Sequence, residues 1–99
     1  GLNGIVTDAG KVTMQWQTVP NLYSFEYKLN GVLQPELLVD GETSYDITST
    51  LSDNADRAII EITEITYSYP VYDDGNPNGE TEKVSHPAGE DMAYIAHLK

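Results

Sequence analysis

Alternation of apolar and polar residues with a period of two runs through nearly all of this chain. It constrains the fold more than any other feature. Side chains of an extended strand point to opposite faces in turn, so a half-buried strand reads apolar-polar-apolar. Val12, Met14 and Trp16 alternate with Thr13, Gln15 and Gln17. Tyr23, Phe25, Tyr27 and Leu29 alternate with Ser24, Glu26 and Lys28, and Tyr45 and Ile47 alternate with Asp46 and Thr48. Gly4 to Thr7 reads as a short extended piece. Val32-Leu33 and Leu37-Leu38-Val39 read as a return strand interrupted by Pro35, which suits a sheet edge.

Turn clusters punctuate these runs at Asp8-Ala9-Gly10, Pro20-Asn21, Asn30-Gly31, Asp40-Gly41 and Ser52 to Asp56. Asn30-Gly31 is a strong hairpin signal, because both residues tolerate the left-handed backbone of a tight turn. Arg57 to Tyr72 is the longest β-rich run, and its phase changes inside. Ala58, Ile60 and Ile62 share one parity; Ile65, Tyr67, Tyr69 and Val71 share the other. A β-bulge near Thr63-Glu64 is the cheapest way to keep both sets on the core side. The alternative is a strand that leaves one sheet for another.

Asp73 to Glu80 reads as a loop, and Thr81 to Ser85 as a strand ended by His86-Pro87. Residues Met92 to Leu98 read as a strand with Met92, Tyr94, Ala96 and Leu98 on one face. A closing helix, with Glu90-Asp91 in its first turn and Lys99 in its last, is the competing reading. That last strand has two candidate neighbours, the first strand and residues 81–86. Seven or eight short strands in 99 residues predict one all-β domain over residues 1–99, an antiparallel two-sheet sandwich.

Composition narrows function by exclusion. The 16 acidic and 5 basic residues give a net charge of −11. That opposes nucleic acid, whose phosphates need a basic face, and anionic lipid. The absence of cysteine excludes disulfides, thiolate metal sites and a cysteine nucleophile. No apolar run is long enough for a membrane-spanning helix. The start Gly1-Leu2-Asn3, with no initiator Met, is expected of a processed chain or a domain cut from a longer one.

Two groups of residues are candidates for chemistry. Asp74-Gly75-Asn76-Pro77-Asn78-Gly79 matches the first half of an EF-hand calcium loop, where alternate oxygens converge on a hard cation. Glu80 and Glu82 add carboxylates, so Asp74, Asn76, Asn78, Glu80 and Glu82 form the candidate calcium set. Against it, the twelfth position is Ser85 and no flanking helices are expected. Asn-Pro-Asn-Gly is also a good plain turn. No other cofactor is expected. The second group is Tyr67, Tyr69 and Tyr72 beside those acids, a pattern suited to stacking on sugar rings; sheet-face tyrosines are the ordinary alternative. Trp16 is expected in the core. His86 and His97 are isolated, which opposes a zinc site. There is neither a nucleophile elbow nor a glycine-rich phosphate loop, so no enzymatic activity is expected. The acidic surplus is concentrated in residues 51–99, which carry ten acids and three bases. A solvated face explains it most simply; a cation or a basic protein partner would also use it.

Several strands resemble those of fibronectin type III domains. Val12-Thr13-Met14-Gln15-Trp16 resembles their second strand and Tyr23-Ser24-Phe25-Glu26-Tyr27 their third. Thr43-Ser44-Tyr45-Asp46-Ile47-Thr48 resembles their fifth, and Ala58-Ile59-Ile60-Glu61-Ile62 falls where their sixth would be. The likeness covers residues 10–65. The corner tyrosine common before the sixth strand is missing, since Asn54-Ala55-Asp56-Arg57 stands there. The resemblance implies an immunoglobulin-like or fibronectin-III-like module. The expected function is a non-catalytic spacer or interaction module of a larger secreted or cell-surface microbial protein. Its partners would be neighbouring domains of that protein and a protein or glycan ligand. The alternative is a carbohydrate-binding module using the tyrosine face and stabilised by calcium.

Overall fold

A computed structural model describes residues 2–89 and 93–98. It is built from nine strands: β1 (Leu2–Asp8), β2 (Lys11–Trp16), β3 (Leu22–Leu29), β4 (Val32–Leu33), β5 (Leu37–Leu38), β6 (Ser44–Asp46), β7 (Arg57–Asp73), β8 (Asn76–Pro87) and β9 (Ala93–His97). One 3₁₀ turn, Thr48–Thr50, follows β6. Among the described residues no helix is long and apolar enough to cross a membrane.

The strands form two antiparallel sheets. One has the order β1-β2-β6; the other has β4-β3-β7-β8, with β5 also on β3 and β9 also on β7. The core lies between them. Val12, Met14 and Trp16 face it from one sheet; Phe25, Tyr27, Leu29, Ala58, Ile60 and Ile62 face it from the other. Val39 and Ile47 fill it from the connections. The rings of Trp16 and Phe25 meet edge to face across the gap, with centroids 5.5 Å apart. The Trp16 indole N–H donates to the Glu42 carbonyl at 2.8 Å, so burying this side chain strands no donor. Alternation in β2, β3 and the first half of β7 therefore becomes one apolar layer.

The phase change in β7 is a bulge. Glu26 stands opposite Glu64 but Tyr27 stands opposite Ile62, which leaves Thr63 without a partner on β3. The spare residue is tied down on both sides: its hydroxyl donates to Glu26 Oε1 at 2.8 Å, and its carbonyl accepts the Ala88 N–H at 3.0 Å. Ile65 consequently packs against the core beyond the bulge. Asn30-Gly31 turns β3 into β4 with φ of +49° and +82°. The Asn30 side chain also joins β7, accepting the Ile59 N–H at 2.8 Å and donating to the Arg57 carbonyl at 3.1 Å.

Four sequence expectations are corrected. Nine strands replace seven or eight, because Pro35 splits the return strand into β4 and β5 and each pairs with β3. Tyr45 and Ile47 do not share a face: Tyr45 is exposed and Ile47 is buried. Strand β6 stops at Asp46, and Ile47, with φ −103° and ψ 6°, already turns into the 3₁₀ segment. The last strand pairs with residues 57–61 of β7, not with β1 or with residues 81–86. Residues 73–80 are not a loop, as described below. Residues 93–97 form a strand rather than a helix, with Tyr94 and Ala96 half-buried and Ile95 exposed. Met92, Glu90, Asp91 and Lys99 lie outside the described residues.

Candidate functional site

Strand β7 is 17 residues long, and β3 pairs with it only as far as Tyr67, which stands opposite Leu22. A bond from the Ser68 N–H to the Asn21 carbonyl at 2.7 Å marks the end of that contact. Among the described residues β7 pairs beyond it with β8 alone, and the two strands continue as a ribbon over residues 68–83. At about 3.3 Å per residue, the six residues of β7 past Tyr67 carry this arm roughly 20 Å beyond the sandwich. The molecule measures 57 × 26 × 19 Å. Its radius of gyration of 15.6 Å exceeds the ~13 Å usual for a compact chain of this size.

The arm ends in a two-residue turn, Asp74-Gly75, with φ of +51° and +83° and Asp73 opposite Asn76. This is the geometry that hairpins favour, because its twist matches that of the strands. Asn-Pro-Asn-Gly is therefore not the tip. Pro70 stands opposite Thr81 and Tyr72 opposite Pro77, so Asn78, Gly79 and Glu80 bulge opposite Val71. Gly79, at φ +86°, permits that bulge.

The structure distributes the candidate calcium ligands along this ribbon. Asp74 is in the turn, Asn76 and Asn78 follow in β8, Glu80 is in the bulge and Glu82 faces Tyr69 across the strands. Asn78 is engaged locally: its amide donates to Asp73 Oδ2 at 3.0 Å and its oxygen accepts the Glu80 N–H at 2.9 Å. Among the described residues no three His, Asp or Glu side chains are grouped so as to hold a metal ion.

The tyrosines divide. Tyr67 and Tyr69 lie two residues apart on one face of β7, with ring centroids 6.2 Å apart and planes 21° from parallel. Tyr67 also lies edge to face with His86, with ring centroids 6.0 Å apart. Tyr67 is half-buried, Tyr69 is 39% exposed and Tyr72 is 57% exposed. Strand alternation puts Tyr72 on the opposite face, with Ser68 and Pro70. Lys83 belongs to that second face too, opposite Ser68, and its ammonium sits 4.7 Å from the centre of the Tyr23 ring.

Sequence reasoning missed the pairing of Tyr69 with Glu82 and of Lys83 with Tyr23. The signal for the arm was the length of the Arg57–Asp73 run, about twice that of any strand able to pair with it inside the sandwich. At the other end of β7, around His97 and the β1–β2 turn, an open cavity of about 410 Å³ is lined by Asp8, Lys11, Thr48, Asp53 and His97 among others. A scan against protein-family models finds no match to the chain, and searches of curated proteins and of solved structures likewise find none.

Proposed function

We propose that the chain is a non-catalytic, immunoglobulin-like or fibronectin-III-like interaction module of a larger secreted or cell-surface protein, and that the 68–83 arm is its recognition element. The observation that carries this reading is the arm itself. A two-stranded ribbon with no third strand is marginally stable in water, so a long one bearing exposed aromatics gains from a partner surface. The strand order supports the module type. The elements likened to the family's second and fifth strands, β2 and β6, share one sheet; those likened to the third and sixth, β3 and β7, share the other. The acidic, cysteine-free composition fits an exported module.

Protein recognition is favoured over sugar binding by the arrangement of the rings. Stacking on the apolar C–H face of a pyranose needs aromatic faces turned outward together. Tyr67 and Tyr69 instead turn toward one another, and Tyr72 is on the other side of the ribbon. The test is a photo-cross-linking residue placed at Tyr69 and, in a second variant, at Tyr45 on the sandwich body. Adducts with a protein at position 69 and none at 45 are expected in the cell that makes the chain. Adducts at neither position, together with a glycan-array signal that Tyr69→Ala abolishes, would overturn this reading in favour of the sugar-binding alternative.

A further inference from the structure

Resting on that reading of the arm, we infer that its Tyr67–Tyr69 face binds an arginine-rich, cationic segment of a protein partner. The mode of contact follows from what the ribbon cannot do. Backbone pairing is obstructed on both strands: Pro70 in β7 and Pro77 in β8 lack an N–H, and the Asn78–Glu80 bulge breaks the outer edge of β8. A second copy of the chain cannot readily add to these edges, and its net charge of −11 opposes close approach. Recognition is left to side-chain faces.

The two faces differ in charge. On the first, Tyr67 and Tyr69 run beside Val84 and Glu82, with Glu82 directly opposite Tyr69. Asp73, Asp74 and Glu80 continue the negative field toward the tip. The arm's one lysine, Lys83, is held on the second face over Tyr23 and does not neutralise Glu82. The first face thus offers an aromatic ring and a carboxylate side by side, with no ammonium from the arm between them.

That pairing is specific for a guanidinium. The planar cation can lie against the outer face of Tyr69 while its N–H fork meets the Glu82 carboxylate. A lysine ammonium meets one partner or the other less completely. Residues spaced along an extended arginine-rich segment would then reach Glu80 and Asp73 in turn.

The experiment titrates the whole chain with oligo-arginine and oligo-lysine peptides of equal length at physiological ionic strength. The arginine peptide is expected to bind about two- to fivefold more tightly than the lysine peptide, the size of one exposed cation–π contact. Tyr69→Ala and Glu82→Gln are each expected to weaken arginine binding by a similar factor. Tyr69→Phe, which keeps the ring, should retain it, and Glu36→Gln on the body should leave it unchanged. Equal affinity for both peptides, or equal loss from Glu36→Gln and Glu82→Gln, would reduce the effect to net charge and overturn the inference. Concentration-dependent dimers that Tyr69→Ala abolishes would assign the face to a second copy and overturn it as well. Cross-linking at Tyr69 without peptide binding would overturn the cationic partner and leave the interaction module standing.

Discussion

Strand β7 is one continuous extended segment with two physical lives. Its first part, from Arg57 to Tyr67, is flanked by β3 on one side from Ile60 onward and by β9 and then β8 on the other. There Ala58, Ile60 and Ile62 are between 0 and 2% exposed. Among the described residues its second half has one neighbour, and its largest side chains, Tyr69 and Tyr72, face water on opposite sides. The backbone is alike in both halves; the number of layers against it is not. Burial, not β-propensity, separates the half that holds the fold together from the half left open to solvent.

The comparison breaks most visibly in paired truncations. Ile60→Ala removes a fully buried side chain from the centre of the core and is expected to cost about 2–5 kcal/mol. Tyr69→Ala, on the arm, should change global stability by less than about 0.5 kcal/mol, since surface substitutions ordinarily do. Urea unfolding of both variants checks this. Comparable losses would mean that the arm is part of the cooperative core.

A second substitution sharpens the division from the arm's side. Gly75 sits at φ +83° in the terminal turn, with open space around its Cβ position. Gly75→Ala therefore costs backbone strain alone, on the order of 1 kcal/mol. That cost should appear as faster local opening of residues 70–80 in NMR, with the unfolding midpoint of the body little changed.

The smallest effect belongs to the body at high pH. Burial raises the pKa of the Tyr27 phenol, with a lesser contribution from the charge of Tyr45. The folded state therefore holds this proton more tightly than the unfolded chain does. The associated stability is fully present below the ordinary tyrosine pKa of about 10 and is lost as pH rises through the higher folded value. Denaturant midpoints measured across that range should fall, and Tyr27→Phe should flatten the decline.

Where a segment's own pattern decided its fate, the sequence was a sufficient guide. Val12-Met14-Trp16 and Phe25-Tyr27-Leu29 faced the core as their parity requires, and the phase change at Thr63 declared a bulge. Asn30-Gly31 declared its hairpin. What failed depended on pairing. Nothing in Ile47 itself shows that β6 would stop one residue earlier. Asp74-Gly75 and Asn-Pro-Asn-Gly are both good turns, and only the register of β8 against β7 decides which one reverses the chain. The candidate site was legible as residues and not as geometry. Tyr67, Tyr69 and Tyr72 were close in sequence, but the strand period separates the third from the other two, and the partnership of Tyr69 with Glu82 exists only across the ribbon.

The division within β7 is tested most directly by residue-resolved hydrogen exchange of the native chain. Amides of residues 58–62, and of 24–29 beside them, should exchange only through global unfolding. Amides of residues 71–76 and 78–80 should exchange through local opening, orders of magnitude faster, as expected of a region with few buried contacts. Protection of the arm equal to that of residues 58–62 would contradict the account, because it would make the arm part of the cooperative core.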